Sequence, residues 1–458
     1  MFLSRQILTL FAVSAATTLA ACGSTSSDRS SGSTGTPIAT ELAFATFDSA
    51  WSTVNRTHFD PEFEGVDWQA VRDSLRPRVA DAATYEDLRG ILNAMLAEIG
   101  LSHFGILAGS ALDAFDGDDG DDPSRGGSAG PGITTRLVDD RVVVWRVRED
   151  SPAARAGVHP GWVVRTIDDR DLEQRLEKAR VLVDPGDFEL LVSQALPVWL
   201  NGAAGTTVTL EFLDGDDEVQ QFEIEREVPP GVMNRFGNLP PIRVSFTDSL
   251  ARAEGRDIAV LGFNIWLMPV AAPFDAAIDR HRDADGMVID LRGNPGGIGA
   301  MAMGLAGHFM TERESLGVMS TRTNDLTFLV NPRLSNAAGE RVEPFSGPVA
   351  ILIDGLSMST TEIFAQGLKV LGRVRVFGQR SPGAALPSYI TRLPNGDGLQ
   401  HAVADFVDPD GNRLEKSGVV PHEIVPLRRA DLLAGRDAPL EAAFHWIAAE
   451  SEESSARR

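Results

Sequence analysis

The chain predicts an α/β protein whose large C-terminal module is preceded by a small helical module and a β-rich module. Three patterns carry this reading. Over residues 240–450, short unbroken apolar runs such as Gly286-Met287-Val288-Ile289-Asp290-Leu291 and Val349-Ala350-Ile351-Leu352-Ile353 alternate with helix-period stretches, as for strands buried on both faces of a parallel sheet. Over 39–108, Phe44, Phe47, Trp51 and Val54, then Leu88, Ile91, Leu92, Met95 and Leu96, recur at three- and four-residue steps. Over 129–228, β-branched runs such as Arg141-Val142-Val143-Val144-Trp145-Arg146-Val147 are separated by turn residues. A length of 458 residues fits about three such modules. The net charge of −23 argues against nucleic acid as a partner, since phosphate binding needs a basic face. A single cysteine excludes a disulfide framework and any multi-cysteine metal site.

Residues 1–21 read as an export signal. Arg5 supplies the positive start, and the apolar run from Ile7 to Leu19 is short for a membrane span, which needs ~20 residues. It ends in Leu19-Ala20-Ala21-Cys22. This stretch resembles a bacterial lipobox, which implies cleavage before Cys22 and a lipid anchor on that residue, with the protein exported and facing the periplasm. An ordinary signal peptide with an incidental cysteine is the alternative. Residues 22–38, rich in Ser, Thr and Gly, form a flexible tether.

In the helical module Asp67 is placed to cap a helix beginning at Trp68. Residues 109–128 are a linker rich in Asp and Gly. Asp116, Asp118, Asp121 and Asp122 are hard oxygen ligands, but the spacing of an EF-hand loop fails, so a solvated acidic linker is expected and no metal. In the β-rich module, Ser151-Pro152-Ala153-Ala154-Arg155-Ala156-Gly157 reads as a short helix with a serine cap, proline at its first position and a glycine stop. The stretch through Pro160-Gly161-Trp162-Val163-Val164 resembles the PDZ family. That resemblance implies a PDZ-like domain over 129–228. Gly130-Pro131-Gly132-Ile133 would supply backbone donors to a peptide's terminal carboxylate, and the adjoining sheet edge could accept an extended strand. Residues 172–205 read as a helical insertion.

Two motifs in the large module carry chemistry. Asp290-Leu291-Arg292-Gly293-Asn294-Pro295-Gly296-Gly297 is a glycine turn between a buried strand and a helix, where free amides can stabilise an oxyanion or simply close a turn. Neither a Walker loop nor a dinucleotide fingerprint is present, and no cofactor is implied. The second motif is Asp354-Gly355-Leu356-Ser357-Met358-Ser359-Thr360-Thr361-Glu362. Ser359 heads a helix, either as a nucleophile favoured by the helix dipole or as an N-cap with Glu362 closing a capping box.

The order of these motifs, followed by Glu415-Lys416-Ser417-Gly418-Val419-Val420-Pro421, resembles the C-terminal processing, or tail-specific, protease family and its tricorn relatives. The resemblance implies a ClpP/crotonase-like protease domain, protein or peptide substrates, and Ser359 as nucleophile. It also implies an oxyanion hole drawn from Thr360 and from Gly296 or Gly297. The processing branch carries a dyad lysine 25 residues past the serine. Here that position is Ala384. The tricorn branch instead has a Ser–His pair and a glutamate, and Ser102-His103 and Glu415 match them. The resemblance therefore implies a set of Ser359, His103, Ser102 and Glu415, with His103 as general base. An imidazole, which ordinarily titrates near neutrality, suits that role. His58, His308 and His401 have no such context and read as structural, as do Asp290 and Arg292. The alternative is a scaffold of the same fold that binds peptides and has lost activity.

Overall fold

Residues 35–109, 129–182, 188–234 and 241–456 are described by a computed structural model. The export segment with Cys22, residues 22–34 of the tether, and 110–128 of the acidic linker lie outside them. Helices α1 (Thr40–Thr57), α2 (Trp68–Leu75) and α3 (Tyr85–Ala97) form the first module. They bury the periodic face read from the sequence: Phe47, Ala50, Val54, Leu88, Leu92 and Met95. Asp67 caps α2 by accepting the Ala70 amide at 2.9 Å, and Thr84 and Asp87 form a capping box on α3. Strand β1 (Gly105–Leu107) follows, and it leaves this module to join a sheet of the large one.

The second module is an antiparallel sheet in the order β2 (Ile133–Val138), β3 (Arg141–Val147), β4 (Val163–Ile167), β6 (Thr207–Leu213), β7 (Val219–Glu225), with β5 (Arg170–Asp171) beside β4. Helix α4 (Pro152–Ala156) is capped by Ser151 and stopped by Gly157 at φ +86°. Helices α5 (Leu172–Leu182) and α6 (Phe188–Leu200) occupy the insertion. Val192 and Leu196 of α6 close the core over Val144, Val208, Leu210 and Phe212. β2 lies at one edge of the sheet.

A two-stranded ribbon, β8 (Val232–Asn234) and β9 (Ile242–Val244), leads into the large module. There β10 (Phe246–Ala253) pairs antiparallel with β11 (Arg256–Phe263). The sheet continues in parallel through β12 (Gly286–Asp290), β15 (Val349–Ile353), β16 (Arg375–Gly378) and β20 (Glu423–Ile424). Alternate residues of these strands face opposite layers. Ile289 and Ile351 pack with α7 (Ala271–Arg280), α8 (Gly299–Ala306) and α9 (Thr360–Val370). Val288, Ala350 and Leu352 pack on Ala443 and Ile447 of α11 (Ala438–Ala456), which follows the short α10 (Arg429–Leu433). Burial on both faces is why these strands read as unbroken apolar runs. Two smaller sheets complete the module: β13 (Glu314–Thr321) between β14 (Asp325–Val330) and β19 (Ala404–Val407), and β18 (Gly398–Ala402) between β1 and β17 (Ser388–Arg392). Among the described residues no helix is long and apolar enough to cross a membrane.

Candidate active site

Parallel neighbours β12 and β15 end at Asp290 and Ile353, so the two glycine- and serine-bearing turns that follow them emerge side by side at the carboxyl ends of two central strands. This is the end of the strands where open α/β sheets bind ligands. Asn294, almost wholly buried, staples the turns together. Its carbonyl accepts the Met358 amide (3.0 Å), and its side-chain oxygen accepts the Thr361 hydroxyl (3.1 Å) and the Gly296 amide (3.0 Å). The sequence reading treated Asn294 as a turn residue only.

Ser359 sits at the head of α9 with φ +57° and ψ −120°. A serine rarely adopts a positive φ, and such backbone strain gathers at functional sites. His103 (φ +64°) and Lys416 (φ +63°), beside Glu415, share it. Gly296 lies against the serine: a Cβ there would stand 2.6 Å from Ser359 Cβ. The Ser359 amide donates to Ala384 O (2.8 Å) and to Glu362 Oε2 (2.9 Å).

Of the three oxyanion-hole candidates, Gly296 has its amide committed to Asn294. The Gly297 amide has no acceptor among the described residues, and Thr360, at the first position of α9, carries one of the unpaired amides of a helix start. The Thr360 hydroxyl donates to Gly297 O (2.9 Å), which fixes these two residues relative to one another.

The second half of the site arrives from far away in sequence. β1 pairs with β18 in the register Gly105↔Gln400, Ile106↔Leu399 and Leu107↔Gly398, and this pairing sets Ser102-His103 into the large module. Glu415 Oε1 accepts the Ser102 amide (2.7 Å), and Oε2 accepts the Ser102 hydroxyl (2.9 Å) and the Ala385 amide (3.2 Å). Ser102 Oγ is 2.7 Å from His103 Nδ1. Its single proton faces Glu415, so Ser102 accepts from Nδ1–H, and Nε2 is left as a bare lone pair. That nitrogen is buried and has no hydrogen-bond partner among the described residues. Consecutive residues join the halves: Ala384 holds Ser359 through its carbonyl, and Ala385 is held by Glu415 through its amide. Ser359, His103 and Glu415 are 7%, 6% and 5% exposed, so these three are withdrawn from water, while Ser102 is half-buried.

Burial pushes His103 down to about 4, well below the neutral range expected of a free imidazole. The ring is therefore neutral at physiological pH and able to accept a proton. Burial pushes Glu415 up, against the Ser102 and Ala385 donors. Glu362 is pushed up to about 7, by burial first and by the Glu415 charge in addition, with its hydrogen bonds to Ser381, Ser359 and Gly383 opposing.

Lys369 on α9 turns away and donates to Val420 O (2.8 Å), so it does not replace the missing dyad lysine. His58 stacks on Phe59, Phe63 and Phe104, His308 bonds Asp275 (2.8 Å), and His401 lies between Thr57 and Thr391 (3.0 Å each). His422 accepts the Val376 amide (3.0 Å). Arg292 pairs with Asp290 and with Asp437 at the strand end. Among the described residues no group of His, Cys, Asp and Glu is disposed to hold a metal ion. In the β-rich module the Gly130 amide is spent on Glu227 O (3.0 Å) and Pro131 has none. Only Gly132 and Ile133 of that set can then offer donors to a ligand.

Residues 257–425 match the model of peptidase family S41, and residues 45–97 match the tricorn protease C1 domain. The chain is 25% identical over 392 residues to carboxyl-terminal-processing peptidase 3 of Arabidopsis thaliana, covering 82% of this chain and 67% of the relative. It is 25% identical over 345 residues to a carboxy-terminal-processing protease of Bartonella bacilliformis, covering 72% and 69%. The chain thus spans about two thirds of the length of these curated relatives. The photosystem II D1 C-terminal processing protease has the same fold, with a TM-score of 0.55 at 20% identity over 89% of this chain and 98% of that one. The chain is a serine peptidase, and these matches support the C-terminal processing (tail-specific) protease family for it.

Proposed function

We propose that the chain is an exported, lipid-anchored endopeptidase of the tail-specific class that works by a Ser–His–Ser–Glu set instead of a Ser–Lys dyad. The observation that carries this is the hydrogen-bonded chain Glu415–Ser102–His103, ending in an unpaired Nε2 and joined to Ser359 through Ala384–Ala385. Ser359 Oγ attacks the peptide carbonyl as its proton passes to His103 Nε2. This hydrogen bond is not made in the resting structure and closes when substrate is seated. The amides of Thr360 and Gly297 receive the oxyanion. The C–N bond then breaks, His103 returns the proton to the leaving amine, and water enters by the reverse route to free the acyl group.

The β-rich module acts as a PDZ-like domain in this reading. The open edge of β2 accepts an extended peptide, and Gly132 and Ile133 meet its terminal carboxylate. A peptide with a free C-terminus then binds the full chain better than its amidated twin, and equal binding would reject the claim. Cys22 carries the lipid, so a Cys22→Ser chain that still partitions with membranes would reject the anchor.

The decisive test is labelling by an alkyl fluorophosphonate, which reacts only with an activated serine. The expected result is a label on Ser359, none in Ser359→Ala, and a rate lowered ~10²-fold or more in His103→Ala. An unlabelled wild-type chain would point to the inactive scaffold. A His103→Ala chain labelled at the wild-type rate would assign the base elsewhere.

A further inference from the structure

Glu362 is fully buried in the first turn of α9 and faces four donors. Its Oε2 accepts the amides of Ser359 (2.9 Å) and Ala384 (3.0 Å). Its Oε1 accepts the Gly383 amide (2.8 Å) and the Ser381 hydroxyl (2.6 Å). The same hydroxyl accepts the Val419 amide (2.7 Å). Three of the four donors are backbone amides, which cannot reverse their role. A proton on this carboxyl must release one of them or turn the Ser381 hydroxyl around. One residue further on, Ala385 gives its amide to Glu415. Adjacent amides of one short segment thus grip two buried carboxylates. One carboxylate serves the serine and the other serves the imidazole chain.

We propose that Glu362 is a positioning residue that acts jointly with Glu415: with both carboxylates ionised, segment 381–385 is clamped between them and the serine and the imidazole are seated together, and a proton on either carboxylate unseats one partner. The inference rests on the roles of Ser359 and His103 proposed above. A proton on Glu415 turns that group into a donor toward Ser102 Oγ. The Ser102 proton then swings to His103 Nδ1, and the imidazole proton must sit on Nε2, where the lone pair is required. A proton on Glu362 removes an acceptor from the turn that holds Ser359 and Ala384.

The other charges packed around the pair are engaged elsewhere. Arg292 is bound to Asp290 and Asp437, and Asp354 to Arg136 and the Gly293 amide. Arg380 reaches Ser417 O, and Lys369 reaches Val420 O. Arg413, whose charge lies toward Glu415, pairs with Glu64 and Asp405, and Lys416 is exposed. Glu362 and Glu415 therefore face one another as like charges, each raised by its burial, while the buried His103 stays neutral down to about 4. Near neutrality it is Glu362, pushed up to about 7, that takes up a proton.

The test is the rate of Ser359 phosphonylation by an alkyl fluorophosphonate against pH, in the full chain. Wild type is expected to rise with a midpoint near neutrality. Glu362→Gln mimics the protonated acid: its high-pH rate falls about tenfold or more, and its midpoint moves to the acid side because the like charge beside Glu415 is gone. Ser381→Ala removes a donor to the carboxylate and moves the midpoint upward. Infrared difference spectra between about pH 6 and 8 on the Ser359→Ala chain give a readout without the nucleophile. They are expected to show loss of a protonated-carboxyl stretch whose midpoint rises when Ser381→Ala is added. No labelling of wild type at any pH would overturn the reading of Ser359 and leave the infrared band to decide on Glu362. Unchanged midpoints in both variants, or no carboxyl band, would overturn the role of Glu362.

Discussion

The direction of one hydroxyl proton decides what His103 can do. Ser102 spends its proton on Glu415 and accepts from Nδ1, so the imidazole presents its lone pair at Nε2. An amide at position 415 cannot reproduce this, because its NH2 group must oppose either the Ser102 amide or the Ala385 amide. Ser102→Ala and Glu415→Gln are therefore each expected to slow peptide hydrolysis ~10²-fold or more. The double variant should be no slower than the worse single one, since members of one unit are not additive. Steady-state kinetics on the three chains check this, and losses that multiply would show two independent contributions. Ser102, His103 and Glu415 were legible in the sequence through the motifs that carry the family resemblance. Glu362 was legible only as half of a capping box, because the donors that surround it, at 381, 383 and 384, meet it only in the folded chain.

At the scale of elements, the imidazole depends on a three-residue strand. β1 was expected to belong with the helices, and its sequence Gly105-Ile106-Leu107 carries no mark of its partner. Its place is secured by pairing with β18 and by a clamp beside it. Arg89 of α3 makes two bonds to the buried Asp397 (2.9 and 2.8 Å), which also accepts the Gly109 amide (2.6 Å). Asp397→Ala leaves the Gly109 amide without an acceptor and the largely buried Arg89 guanidinium with only Glu86, 3.6 Å away, at a cost of about 3 kcal/mol. The expected outcome is a lower unfolding temperature together with slower labelling of Ser359, although Asp397 belongs to neither catalytic motif. A chain that loses stability but labels at the wild-type rate would show that β1 does not seat the base.

Across the whole molecule, Trp145 of β3 joins the β-rich module to the large one. The guanidinium carbons of Arg136, Arg146 and Arg292 lie 4.2, 3.9 and 5.0 Å from its ring centre. Arg136 bonds Asp354 (3.1 Å), and Arg146 bonds Asp290 (2.5 Å), the residue just before the glycine turn. Burial alone would raise the Asp290 carboxyl. The charges of Arg292 and Arg146 outweigh it and hold Asp290 well below the usual carboxylate range. Its folded value is depressed, so the stability it contributes is present above the ordinary carboxylate value, ~3.9, and is lost as pH falls further. Arg292→Ala leaves the buried Asp290 with Arg146 alone and takes from Asp437 its two bonds, and should cost about 3 kcal/mol near neutrality. The half-exposed Arg146→Ala should cost about 1 kcal/mol or less. Denaturant unfolding near neutrality and at low pH checks both, and the gap between Arg292→Ala and wild type should narrow in acid.

The sequence by itself determined what short-range physics can encode. The helix faces, the Asp67 and Ser151 caps, the unbroken apolar strands and the serine at a helix start all depend on neighbours a few residues away. Only the tertiary structure decided which pieces meet. The register of β1 against β18 spans nearly 300 residues, and the Ser102–Glu415 contact spans 313. Such pairings leave no periodicity in either segment. The neutral imidazole and the raised carboxylates follow from the same cause: a side chain's ionisation answers to the low-dielectric surroundings that folding assembles around it, and those surroundings are drawn from all over the chain.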